Sequence, residues 1–82
     1  MSPQACTPEA LSSLVSTMAG LPPGLEHEKA LAEAARLVAA YGREAVNVAL
    51  ECQNALMERG QDIAALTVLQ VITAIWEIED AR

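Results

Sequence analysis

The segment between Ile63 and Ile78 restricts the fold more than any other, because its apolar residues occupy most of the circumference of a helix. One narrow polar ribbon recurs at helical spacing through this segment and just beyond it. It consists of Gln70, Thr73, Glu77 and Asp80. A helix that is apolar on nearly every other side has to be buried nearly all round. The sequence therefore predicts that this helix lies at the centre of a packed assembly.

The chain is short, and its 82 residues restrict it to one domain. Hydrophobic residues make up 52% of the chain and aromatic residues only 2%, so the apolar side chains are mostly aliphatic, which favours helices. Three other short, alanine-rich helices cover little area. We therefore predict that a second copy of the chain covers the rest of the last helix. A compact monomeric bundle with that helix at its centre is the alternative.

Proline and glycine residues divide the chain into predicted helices. Thr7 is a candidate cap for a first helix with Pro8 at its first position, and Gly20 ends this helix with a Schellman-type closure onto Leu21. Its predicted apolar stripe comprises Leu11, Leu14, Val15 and Met18. Residues 1–6 are predicted to form a flexible tail within the single helical domain 1–82.

The second helix is predicted to begin near Gly24 or Leu25 and to run to Tyr41. Its predicted apolar stripe comprises Leu31, Ala34, Ala35, Val38 and Tyr41. Gly42 favours a break after it, because glycine is a common helix terminator. No proline or polar loop follows, so a continuous helix with a kink at Gly42 remains the alternative.

Gly60 ends the third helix, and Asp62 is the predicted cap of the fourth, which runs from Ile63 to about Asp80. The short connection predicts an antiparallel hairpin. The predicted fold is thus all-α: a small bundle of four helices, or of three if the second and third are continuous, with a C-terminal antiparallel helical hairpin.

The third helix carries a polar ribbon opposite its apolar side. The ribbon consists of Glu44, Asn47, Glu51, Asn54 and Glu58, and we expect it to be exposed. The apolar side consists of Ala45, Val46, Ala49, Cys52, Leu56 and Met57. In the fourth helix, the predicted core or interface residues are Val68, Leu69, Val71, Ile72, Ile75, Trp76 and Ile78.

The charge of −6 has the wrong sign for binding nucleic acid or an anionic membrane. A helix-turn-helix DNA-binding motif is also excluded. Its recognition helix would have to be the last helix, which has no basic residue before Arg82. The apolar stretch Ile63–Trp76 is shorter than the roughly 20 residues that a membrane span needs. Two cysteines and no recognisable signal sequence favour a cytoplasmic protein.

Few residues could support catalysis. His27 is the single histidine, and the sequence after it lacks the second histidine of a zinc-binding HExxH helix. We expect His27 to be an exposed side chain in the first turn of its helix and Cys52 to be a small buried hydrophobe. We therefore predict no catalytic residue, no cofactor and no metal site.

One set of positions resembles a group of known sequences: Tyr41-Gly42, Ala45, Leu56, Gly60, Gln61-Asp62, Ala65, Ile72 and Ala74-Ile75. The chain is similar over roughly residues 41–78 to short uncharacterised all-α bacterial proteins with a YG or HG turn and a later GxD or GD turn. The resemblance implies a small helical fold and no activity.

These observations predict an acidic helical interaction or regulatory protein that acts as a homodimer, with another protein as a further possible partner. Two alternatives stay open. One is an acidic inhibitor or antirepressor of a basic nucleic-acid-binding protein. The other is an accessory subunit that completes a metal or enzyme site with another chain.

Overall fold

The computed structural model describes residues 8–81, and over this range the chain is helical and contains no strand. The predicted all-α class is confirmed. The helices are α1 (Pro8–Ala19), α2 (His27–Tyr41), α3 (Ala45–Glu58) and α4 (Asp62–Asp80), with a 3₁₀ turn at Gly42–Glu44 between α2 and α3. The predicted tail, residues 1–6, and the predicted cap at Thr7 lie outside the described residues.

The molecule is a thin slab in which α4 has the central position. Its extents are 35 × 28 × 15 Å. Helix axes pack about 8–10 Å apart and Cα atoms lie about 2.3 Å from each axis, so the smallest extent holds two layers of helices. Helix α4 packs mainly against α3 and α2, and less extensively against α1. A helix in a two-layer slab keeps one side open to solvent.

The core is aliphatic and is built around α4. Its largest fully buried side chains are Met18, Leu56, Ile72, Ile75, Val15, Val68 and Val71. Val15 and Met18 come from the predicted stripe of α1, whose other members, Leu11 and Leu14, are half-buried against the core. Burying this aliphatic surface is the main force that holds the helices together.

The end of α1 differs from the Schellman closure predicted at Gly20. The amides of Gly20 and Leu21 donate to the carbonyls of Thr17 and Met18, at 3.2 Å each, so the last turn tightens into 3₁₀-type bonds. Positive φ occurs instead at Gly24, Gly42 and Gly60. The segment that follows contains two prolines and Gly24.

Helix α2 starts at His27, later than the predicted start at Gly24 or Leu25. Gly24 has a φ of 72°, which is outside the helical region, and both backbone polar groups of Leu25 bond to a side chain of α4. The first helical carbonyl is therefore that of Glu26, which accepts from the Ala30 amide at 2.9 Å.

The buried side of α2 is also rotated relative to the prediction. Ala30, Ala34 and Leu37 are buried, whereas Leu31, Val38 and Tyr41 are half-buried and Ala35 is exposed. Alanines occur on several sides of this helix, so the sequence pattern alone does not separate neighbouring faces.

Two glycines form the turns that end α2 and α3. Gly42 has φ 59° and ψ −126°, and its amide donates to the Val38 carbonyl. At Gly60, the Gly60 and Gln61 amides donate to the Met57 and Leu56 carbonyls at 3.0 and 2.9 Å, which is the Schellman pattern.

A short connection joins α3 to α4 and turns α4 back along α3. Residues 59–61 link the two helices, and Gln53 Nε2 donates to the Ala65 carbonyl at 3.4 Å across the pair. Asp62 is the first residue of α4 rather than its cap; Gln61 precedes the helix and makes no side-chain capping bond.

Candidate interaction surface

Large apolar side chains remain exposed along one side of α4. The exposed fractions are 65% for Ile63, 63% for Leu66, 42% for Leu69 and 54% for Trp76. With Thr73, which is also exposed, they recur every three or four residues and extend about 20 Å along the helix. We call Ile63, Leu66, Leu69, Thr73 and Trp76 the α4 stripe.

The predicted core or interface residues of α4 divide between two sides of the helix. Four of them, Val68, Val71, Ile72 and Ile75, are fully buried within this chain. Ile78 is half-buried, whereas Leu69 and Trp76 belong to the exposed stripe. The single chain thus leaves α4 only partly covered.

Ile63 and Leu66 are the surface residues that the sequence-based site prediction missed. Ile63 lies three residues before Leu66, and Leu66 lies three residues before Leu69, so each is a neighbour of the next on the helix surface. That spacing was the available signal. Gln70 and Thr73, which are polar, interrupt the apolar run before Trp76.

A groove of about 470 Å³ borders the N-terminal half of the stripe. Its residues come from α4 and from the segment between α1 and α2. They are Pro23, Gly24, Ile63, Leu66, Thr67, Leu69, Gln70 and Thr73. Most of the exposed lining is apolar, which suits the docking of an apolar side chain.

Gln70 fixes the wall of this groove. Its Oε1 accepts from the Leu25 amide at 3.0 Å, and its Nε2 donates to the Leu25 carbonyl at 3.3 Å. This pair of bonds holds the α1–α2 connection against α4. The groove is thereby preformed in the single chain.

The C-terminal end of the stripe is acidic. Trp76 is surrounded by Glu77, Glu79 and Asp80, all of which are exposed. Helix α4 contains no lysine or arginine. Glu77 Oε2 lies 3.3 Å from Nε2 of His27, and both side chains are well exposed, so this contact contributes little stability.

The polar ribbon Glu44, Asn47, Glu51, Asn54 and Glu58 is exposed along its full length. Asn47 Nδ2 donates to Glu44 Oε2 at 3.0 Å, and Glu44 itself lies in the 3₁₀ turn. Met57 was expected on the apolar side of α3 but is 54% exposed. It follows Leu56, the buried residue, and one residue turns the side chain by about 100° around the helix.

The residues considered for chemistry lie apart from one another. The His27 side chain is 68% exposed and faces one carboxylate, that of Glu77. Cys52 is fully buried in α3. Within residues 8–81, no three His, Cys, Asp or Glu side chains come together as metal ligands. No helix in the same range combines the length and hydrophobicity that crossing a membrane requires.

Comparisons with protein-family models, with curated proteins and with solved structures find no match to this chain.

Proposed function

We propose that the protein is a small acidic interaction or regulatory protein of the cytoplasm that acts as a homodimer and has no catalytic activity of its own. The α4 stripe carries this proposal. Four large apolar side chains, each 42–65% exposed, lie on one side of the most apolar helix of the chain. Clustered exposed apolar residues of this kind are typical of protein interaction sites.

A second copy is the partner that best fits the composition of the chain. The stripe is apolar and lies on a molecule with a net charge of −6, so its contacts depend on hydrophobic burial rather than on attraction between opposite charges. Pairing two stripes covers the open side of both α4 helices at once. It also completes the burial that the sequence of α4 predicts.

In this arrangement the small bundle presents a different surface to other molecules. The polar ribbon of α3 follows the side of that helix turned away from its buried residues, which are Ala45, Val48, Ala49, Cys52 and Leu56. We propose that this ribbon keeps the dimer soluble and is available to a further protein partner.

Sedimentation equilibrium tests the homodimer. We expect the wild-type chain to sediment at twice its monomer mass of 8.7 kDa at micromolar concentration. Leu66→Lys should be monomeric, because dimerisation would place two ammonium groups within the apolar contact between the stripes. Met57→Lys changes a similarly exposed apolar residue outside the stripe, on α3, and should remain dimeric. A monomeric wild-type chain would contradict the proposal.

A further inference from the structure

We infer that the two copies pair with their α4 helices antiparallel, each Trp76 docking into the groove beside the partner's Ile63 and Leu66. This arrangement rests on the proposed homodimer. It specifies the direction of the pairing, its register and the anchoring side chain.

The charges at the two ends of α4 decide the direction. The C-terminal end carries Glu77, Glu79 and Asp80, all exposed. A parallel pair would bring the three carboxylates of one copy against the same three of the other, which is unfavourable. An antiparallel pair places them instead at the start of the partner's α4.

The start of α4 is better suited to receive these carboxylates. Its nearest charged side chains, Glu58, Arg59 and Asp62, are all exposed and together carry a single net negative charge, so the three carboxylates meet less repulsion there than against the partner's own three. The amides of the first helical turn add a partial positive charge there. The helix dipole therefore favours the antiparallel direction.

The spacing of the stripe defines the register. A twofold axis between Leu69 and Gln70 places Ile63 opposite the partner's Trp76 and Leu66 opposite the partner's Thr73. In a twofold interface each such contact occurs twice. In this register the two bulky aliphatic side chains near the start of α4 lie opposite one large and one small side chain, the indole of Trp76 and the hydroxyl-bearing side chain of Thr73.

The groove beside Ile63 and Leu66 provides room for the indole. It measures about 470 Å³, and Gln70 holds its wall in place before any partner arrives. A tryptophan side chain buries about 150–250 Å² when fully covered. Trp76 is 54% exposed, so much of this area is still available for contact. Tryptophan in a preformed pocket is a typical anchor of protein interfaces.

Cysteine cross-linking tests the direction and the register. Facing Cα atoms of two packed helices come within about 4–6 Å, which suits a disulfide. Leu66→Cys and Thr73→Cys are prepared separately in a Cys6→Ser background, mixed, and oxidised. We expect a covalent dimer that contains one of each chain. Leu66→Cys alone should not cross-link, because its two copies lie about 10 Å apart along the helix axes.

The outcomes separate this inference from the proposed homodimer. Cross-linking of Leu66→Cys with itself would show either a parallel pair or an antiparallel pair in another register, and both would overturn the inference. A dimer in sedimentation that gives no cross-link in the mixture would show that the copies pair in another register or through another surface, so the inference falls while the homodimer stands. A monomer in sedimentation would overturn both.

A second variant tests the anchor. Trp76→Ala should weaken dimerisation about 30-fold or more, as expected for an interface anchor. Met57→Ala, which removes a similarly exposed side chain of α3, should leave the dimerisation constant unchanged. Equal dimerisation constants for Trp76→Ala and the wild type would overturn the assignment of Trp76.

Discussion

Gln70 shows how one polar side chain links distant parts of the chain. The connection between α1 and α2 contains two prolines and makes no strand or helix at Leu25, so the backbone groups there need partners from elsewhere. A glutamine amide supplies a donor and an acceptor together, and Gln70 uses both on Leu25. By pattern, Gln70 belongs to the polar ribbon of α4. Its contacts are intramolecular, which the spacing of polar residues does not reveal.

Replacing Gln70 should therefore destabilise the fold. Gln70→Ala removes two hydrogen bonds worth about 0.5–1.5 kcal/mol each, so we expect the free energy of unfolding to fall by about 1–3 kcal/mol. Urea denaturation followed by circular dichroism measures this change in the free energy of unfolding. Both chains carry Leu66→Lys, so that dimerisation does not contribute to the measured stability.

Thr73→Ala is the matched control for Gln70→Ala. The Thr73 hydroxyl bonds only to the Leu69 carbonyl of its own helix, at 3.0 Å, and is exposed. We expect a change within about 0.5 kcal/mol. Equal effects of the two substitutions would show that the Leu25 bonds contribute nothing to stability.

The helix boundaries were predictable where a local conformation decides them. Gly42 and Gly60 end helices because their backbones adopt positive φ, a requirement contained in the glycine itself. The start of α2 was misplaced because Leu25 is held by a residue 45 positions away. The buried side of α2 was misassigned because its alanines make neighbouring sides look alike. Contacts between distant segments determine both the start of α2 and its buried side, and a local sequence pattern does not encode such contacts.

Substitution by alanine should destabilise the fold more at Gly42, which follows α2, than at Gly20, which follows α1. The φ of 59° and ψ of −126° at Gly42 lie in a region that is nearly restricted to glycine. We expect Gly42→Ala to lower the free energy of unfolding by about 1–3 kcal/mol. Urea denaturation in the Leu66→Lys background measures the loss.

Gly20→Ala is the control at the end of α1. Gly20 lacks a positive φ, and an added Cβ would meet the Thr17 carbonyl oxygen at an ordinary 3.5 Å. Alanine there should be neutral or stabilise the fold by up to about 1 kcal/mol, because it restricts the unfolded chain. A loss as large as that of Gly42→Ala would contradict the conformational explanation.

At the scale of the whole molecule, the slab shape explains both faces of α4. The sequence predicts a helix that is buried nearly all round, but within one chain only one side of α4 is covered, by α3, α2 and α1. The molecule is 15 Å thick, which leaves no further layer of helices to cover the other side. Sequence shows that α4 has more apolar surface than a small bundle needs. Which side stays open depends on how the other three helices distribute around it, and that is a property of the packed structure.

Alanine substitutions of two isoleucines of α4 should distinguish an effect on folding stability from an effect on dimerisation. Ile72 is fully buried and Ile63 is 65% exposed. In the Leu66→Lys background, Ile72→Ala should lower the free energy of unfolding by about 2–5 kcal/mol through the cavity it leaves. Ile63→Ala should change it by no more than about 0.5 kcal/mol. In the otherwise wild-type chain, however, Ile63→Ala should weaken dimerisation in sedimentation equilibrium, because its surface is buried only between copies. Unchanged self-association would mean that the open side of α4 has another occupant.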